Sequence, residues 1–179
     1  MAATYGPLRY ETGGAYLGRG ERTTGVPVFD RDGLRQEGTE GFRWDEIKEM
    51  DVEVQDIGSK SLAQNIAMFL LTVGSVTQRA PGTEESWLWL QPVHGKPMVW
   101  KFDVPKRSEA RWSPGAVRRF VRRLDKTGKQ AHLGSPELAA SLEALHRVPH
   151  FPPWKRDRAV DRLVDALPAP EPGLGRARG

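Results

Sequence analysis

Between Val26 and Val54 the sequence VPVFDRDGLRQEGTEGFRWDEIKEMDVEV sets apolar alternation against turn chemistry more sharply than anywhere else in the 179-residue chain. Val26, Val28 and Leu34 flank a turn at Asp30 to Gly33, where Asp can bond its own backbone and Gly accepts angles that other residues resist. Phe42 and Trp44 resume the alternation, Asp45 to Glu49 interrupts it, and Val52 and Val54 continue it. A period of two with short polar breaks describes half-buried strands joined by tight turns. The stretch therefore predicts an antiparallel meander, with Trp44 and Ile47 buried on either side of a kink.

The flanking segments extend this pattern. Residues 1–15 are Gly-rich and lack periodicity, so a flexible N-terminus is expected, with Tyr16 and Leu17 opening a first short strand. From Ser61 to Val73, Leu62, Ile66, Phe69, Leu70 and Val73 recur at helical spacing and predict a helix inserted between strands, a buried strand being the alternative. Trp87 and Trp89 alternate with Leu88 and Leu90, while Met98, Trp100, Phe102 and Val104 share one face of a second strand, joined to the first through PVHGKP. Four aromatics on paired strands can form a stacking platform for a single-stranded nucleic acid or a ligand, but such pairs more commonly fill a core.

The last third is punctuated for helices. Ser113 and Pro114 supply a cap and a first helical position, and Val117, Phe120, Val121 and Leu124 trace an apolar stripe toward Gly128. Ser135, Pro136 and Glu137 repeat the start signal ahead of Leu138, Leu142 and Leu145. A third helix is expected over Asp157 to Leu167, ending at Pro168, and the tail PAPEPGLGRARG is too poor in apolar residues to order itself.

The segment FRWDEIKEMDVEV resembles the W-x-x-I stretch of bacterial pleckstrin-homology-like domains, at Trp44, Asp45, Glu46 and Ile47. The resemblance covers about residues 26–54 and implies an α+β fold, a partly open antiparallel barrel closed off by a C-terminal helix. The expected organisation is a flexible stretch over 1–15, a pleckstrin-homology-like domain over 16–133, a helical extension over 134–167 and a disordered tail over 168–179.

Charge is unevenly distributed. The formal net charge is +4, yet residues 1–60 hold 8 basic and 12 acidic side chains while residues 96–133 hold 11 and 3. Arg118, Arg119, Arg122 and Arg123 lie opposite the apolar stripe of the first helix, with Lys126 and Lys129 just beyond its end and Lys106, Arg107 and Arg111 just before it. These residues are the candidate contact for an anionic partner, because guanidinium groups make strong pairs with phosphate. The same charges can instead pair with the acidic N-terminal half of the molecule or lie on a solvated helical face.

Other chemistry finds little support. The absence of Cys removes disulfides, thiolate ligands and cysteine nucleophiles. His146 and His150 are four apart, but Pro149 interrupts the helix between them and no further ligand completes a tetrahedral set. The glycines at 13, 14, 18 and 20 lack the strand, helix and Lys-Ser or Lys-Thr of phosphate loops, and no G-x-S-x-G is present. No catalytic residue, metal or cofactor is expected. The sequence thus points to a non-enzymatic cytoplasmic interaction or scaffold module binding a protein partner or an anionic surface. Nucleic-acid binding through the basic helix over 114–125 is the alternative, and an enzyme with an unrecognised site the third reading.

Overall fold

The computed structural model describes residues 2–11, 14–18, 25–36, 39, 41–54, 86–104 and 112–169. Among the described residues it is an α+β protein with two antiparallel sheets and three α-helices, and these sheets do not close into a barrel. The larger sheet is a meander of six strands in sequence order: β1 (Ala3–Tyr5), β2 (Leu8–Glu11), β3 (Gly14–Leu17), β4 (Pro27–Asp30), β5 (Gly33–Gln36) and β6 (Phe42–Arg43). The smaller holds β7 (Ile47–Glu53), β8 (Ser86–Pro92) and β9 (Met98–Phe102), again in sequence order.

The central stretch folds as its residues dictate. Asp30 pairs with Gly33 across a two-residue turn, and Phe29 faces Leu34. A single 3-10 turn over Trp44–Glu46 then carries the chain from the first sheet into the second. Trp44, 1% exposed, stacks on Phe29 with ring centroids 6.3 Å apart and donates its indole N–H to the Arg31 carbonyl at 2.9 Å. The kink is thereby pinned beneath the β4–β5 turn. A register irregularity between Ile47 and Glu49 shifts the phase of β7, so Ile47 and Met50, three residues apart, both reach the core.

The first sheet departs from the sequence expectation at its start. Residues 3–11 are not structureless but form β1 and β2, with Tyr5 and Leu8 fully buried. The short strand expected at Tyr16 and Leu17 is β3, which begins at Gly14 and is buried at all four residues. The helix expected over Ser61–Val73 and the tail beyond Ala169 lie outside the described residues.

The helices are α1 (Pro114–Lys126), α2 (Glu137–Leu145) and α3 (Pro153–Asp165). Ser113 caps α1 by accepting the Ala116 N–H. The helix stops in a left-handed turn at Gly128 (φ +69°), where the Lys129 N–H reaches the Leu124 carbonyl at 2.8 Å and the Gly128 N–H reaches Asp125 at 3.1 Å. Its stripe of Ala116, Val117, Phe120, Val121 and Leu124 is buried against β7 and α3, and α2 packs on β1. Leu138, Leu142, Leu145, Val160 and Val164 join the same core cluster as Trp44, Leu88 and Trp100, so residues 134–167 share one interior with the sheets. The third helix begins four residues earlier than its apolar pattern suggested, at the proline pair Pro152 and Pro153, where proline's fixed φ suits a first helical turn.

Candidate functional site

Helix α1 presents its arginines as two i,i+4 pairs flanking the buried stripe. On one flank Arg118 meets Glu53 at 3.1 Å and Arg122 meets Asp51, both carboxylates on β7. Four residues of helix rise about 6 Å and two residues of strand about 6.7 Å, so helix and strand offer matching charge spacings when they run in opposite directions. On the other flank Arg119 donates from Nε and Nη2 to both carboxylate oxygens of Asp161 at 2.7 and 2.5 Å, and Arg123 donates to Asp165 at 2.8, 2.9 and 3.1 Å. Asp161 and Asp165 are also four apart on α3, so the two helices share one repeat and run in the same direction.

Electrostatics follow this geometry. The hydrogen bond from Arg119 holds the Asp161 carboxyl below its usual range, against the opposing effect of burial, while the same bond raises Arg119. The Asp51 carboxylate likewise raises Arg122, chiefly by hydrogen bonding. All four arginines are therefore committed to carboxylates of this chain. An incoming polyanion at this face would have to compete with Asp51, Glu53, Asp161 and Asp165.

The two candidate lysines have different environments. Lys129 turns its ammonium onto the end of α3, donating to the carbonyls of Val164 at 3.0 Å, Asp165 at 3.1 Å and Leu167 at 2.6 Å. A cation there satisfies carbonyls that lack helical partners and complements the negative end of the helix dipole. His132 donates from Nε2 to the Pro168 carbonyl at 2.9 Å, which fixes the Nε2–H tautomer and extends the same clasp. Lys126 is exposed, at the rim of an open groove of about 400 Å³ lined by Lys48, Glu49, Met50, Asp51, Arg122 and Asp125. That groove mixes cations and carboxylates. Lys106, Arg107 and Arg111 fall outside the described residues.

The four aromatics of the β8–β9 hairpin do not make a single platform. Trp100 and Phe102 point into the core, opposite Leu88 and Ser86, while Trp87 and Trp89 are half-buried on the other face of the sheet, opposite Lys101 and Val99. His146 and His150 do not converge on a metal either. His146 donates to the Thr4 carbonyl at 2.8 Å and packs edge-on against Tyr5, tying α2 to β1. Among the described residues no three His, Asp or Glu side chains come together as a ligand set.

Sequence reasoning missed two groups. Asp161 and Asp165 were legible in principle, since Asp157, Asp161 and Asp165 repeat at the same interval as the arginines. Phe151 and Trp154, 80% and 68% exposed, are the most exposed large apolar side chains among the described residues. Their signal was the FPPW sequence itself, two aromatics around a helix-starting proline pair. No described helix is long and apolar enough to cross a membrane. The chain matches no known family model, no curated protein and no solved structure.

Proposed function

We propose that this protein is a non-enzymatic interaction module, a rigid α+β body that docks on a protein partner or an anionic surface. The observation that carries this reading is the exposure of Phe151 and Trp154 at the start of α3, while the other large aromatics among the described residues are largely drawn into the fold. Exposed aromatics of this size are costly in water unless something covers them, and they are enriched where partners bind. The pleckstrin-homology-like resemblance at Trp44 to Ile47 fits this reading, as such domains serve as platforms. Nucleic-acid binding through α1 is less favoured, because its arginines already hold four carboxylates.

The test compares the immobilised full chain with its Phe151→Ser/Trp154→Ser variant in quantitative affinity capture. The parent should retain a binder that the variant loses, with melting temperatures unchanged because both side chains are exposed. Identical retention by the two proteins, or none by either, would remove the support for this corner as the docking site.

A further inference from the structure

Resting on the interaction-module reading, we infer that the corner formed by Phe151, Trp154 and the outer face of α3 docks on an anionic phospholipid bilayer. Trp154, Arg158 and Arg162 lie four residues apart along α3 and are all exposed, so they share one face of the helix. Lys155 stands exposed beside them, and Arg147 lies exposed just before the corner. Among the described residues none of these cations holds an ion pair, in contrast to the four arginines of α1. Residues 146–158 contain four basic side chains and one carboxylate, Asp157, which pairs with Arg156 at 2.8 Å.

The chemistry matches the boundary layer of a bilayer. Trp and Phe rings favour the zone between headgroups and acyl chains, and Lys and Arg beside them meet anionic headgroups. Val160 and Val164 anchor the opposite side of α3 in the core, and Asp161 and Asp165, on the flank beside Trp154 and Arg158, hold the helix to Arg119 and Arg123 of α1, so it presents this face from a fixed position. Val148 is buried just before the corner, and the chain from 149 to 155 is exposed apart from half-buried Pro152. Phe151, Trp154 and the rings of Pro149 and Pro153 are thus all exposed within six residues. A stacked nucleic-acid base would cover one ring and leave the prolines in water, whereas a bilayer surface covers them all.

The experiment is co-sedimentation of the full chain with vesicles of phosphatidylcholine alone and of phosphatidylcholine with about one-third phosphatidylserine. The parent should sediment with the anionic vesicles and not the neutral ones, and added salt should weaken the binding. Arg158→Gln/Arg162→Gln should weaken it roughly 30-fold, the equivalent of about 1 kcal/mol for each cation near the surface. Phe151→Ser/Trp154→Ser should weaken it at least as much, with both variants melting like the parent. The inference is overturned if the parent ignores anionic vesicles, if either double variant binds them as the parent does, or if it binds single-stranded oligonucleotide through the same aromatics and no vesicles. Should vesicle binding fail while the aromatic variant still loses a captured protein, the interaction-module reading stands without the membrane; if the variant also captures everything the parent does, both fall.

Discussion

Arg119 and Asp161, 42 residues apart in sequence, face each other as a two-point pair at 2.7 and 2.5 Å, and Arg123 repeats the arrangement with Asp165 at the same sequence separation. Arg118 and Arg122 reach Glu53 and Asp51 on β7 through one contact each. The basic helix is thus a spine: its apolar stripe enters the core while charge holds a strand on one flank and a helix on the other. Exposed ion pairs are individually weak, about 0.2–1 kcal/mol, but two-point geometry places the Arg119 and Arg123 pairs at the favourable end.

The Arg119–Asp161 pair should be visible as an acid-dependent contribution. Arg119 holds the Asp161 carboxyl low in the folded state, so its stabilisation is present above the unfolded value near pH 4 and is lost as pH falls through the folded one. Asp161→Asn should be less stable than the parent at neutral pH, by about 1 kcal/mol or less, since the pair is partly exposed. The gap should shrink in urea unfolding below about pH 4. A gap that stays constant from neutral to acid would argue against the pairing.

Lys129→Met keeps the aliphatic stem but removes the ammonium that holds the carbonyls of Val164, Asp165 and Leu167. The expected loss is about 1 kcal/mol, the scale of a charged group at a helix C-terminus. Amide exchange should accelerate in the last turn of α3 and not in α2. Uniform acceleration across all helices would point to a global effect instead.

Trp44 separates packing from hydrogen bonding. Trp44→Ala removes a fully buried side chain and should cost about 3–5 kcal/mol. Trp44→Phe preserves the stacking on Phe29 but removes the indole N–H that donates to the Arg31 carbonyl, and should cost less than Trp44→Ala. A Trp44→Phe variant that melts with the parent would contradict the role given to the indole N–H, and one that melts with Trp44→Ala would contradict the role given to packing.

Two glycines predict opposite responses to alanine. A Cβ at Gly134 would lie 2.0 Å from the Asp30 carbonyl oxygen, against backbone that cannot yield, so Gly134→Ala should cost about 1–3 kcal/mol. At Gly115 the nearest atoms belong to the guanidinium of Arg156, at 2.4 Å, and that side chain can swing aside. Gly115→Ala should be near neutral, since alanine also favours the helix. Thermal melts of the two variants decide it, and similar losses in both would show Arg156 to be rigidly held.

Local chemistry was legible in the sequence where it acts locally. The Asp30–Gly33 turn, the Ser113 cap, the Gly128 stop and the burial of Trp44 and Ile47 each follow from residues near one another along the chain. The strands β1 and β2 were not legible, because β1 is three residues long and the neighbouring β3 is buried throughout. The fate of the arginines was only half legible. An acidic N-terminal half made Asp51 and Glu53 natural partners, but the role of Asp161 and Asp165 depends on how α3 lies against α1, which no local pattern encodes. The exposure of Phe151 and Trp154 depends on how the corner before α3 packs, which no local pattern encodes.

The spine role of α1 is tested most directly by the melting temperature of a variant with Arg118, Arg119, Arg122 and Arg123 all replaced by Gln. Gln retains helix propensity and much of the stem, so any loss reports the ion pairs and the carboxylates left behind. With each of the four pairs contributing about 0.2–1 kcal/mol and each kcal/mol worth about 2–4 °C in a domain of this size, the variant should melt roughly 2–16 °C below the parent. An unchanged melting temperature, together with a loss of binding to polyanions at low salt, would contradict the account and return the arginines to the surface as a contact site.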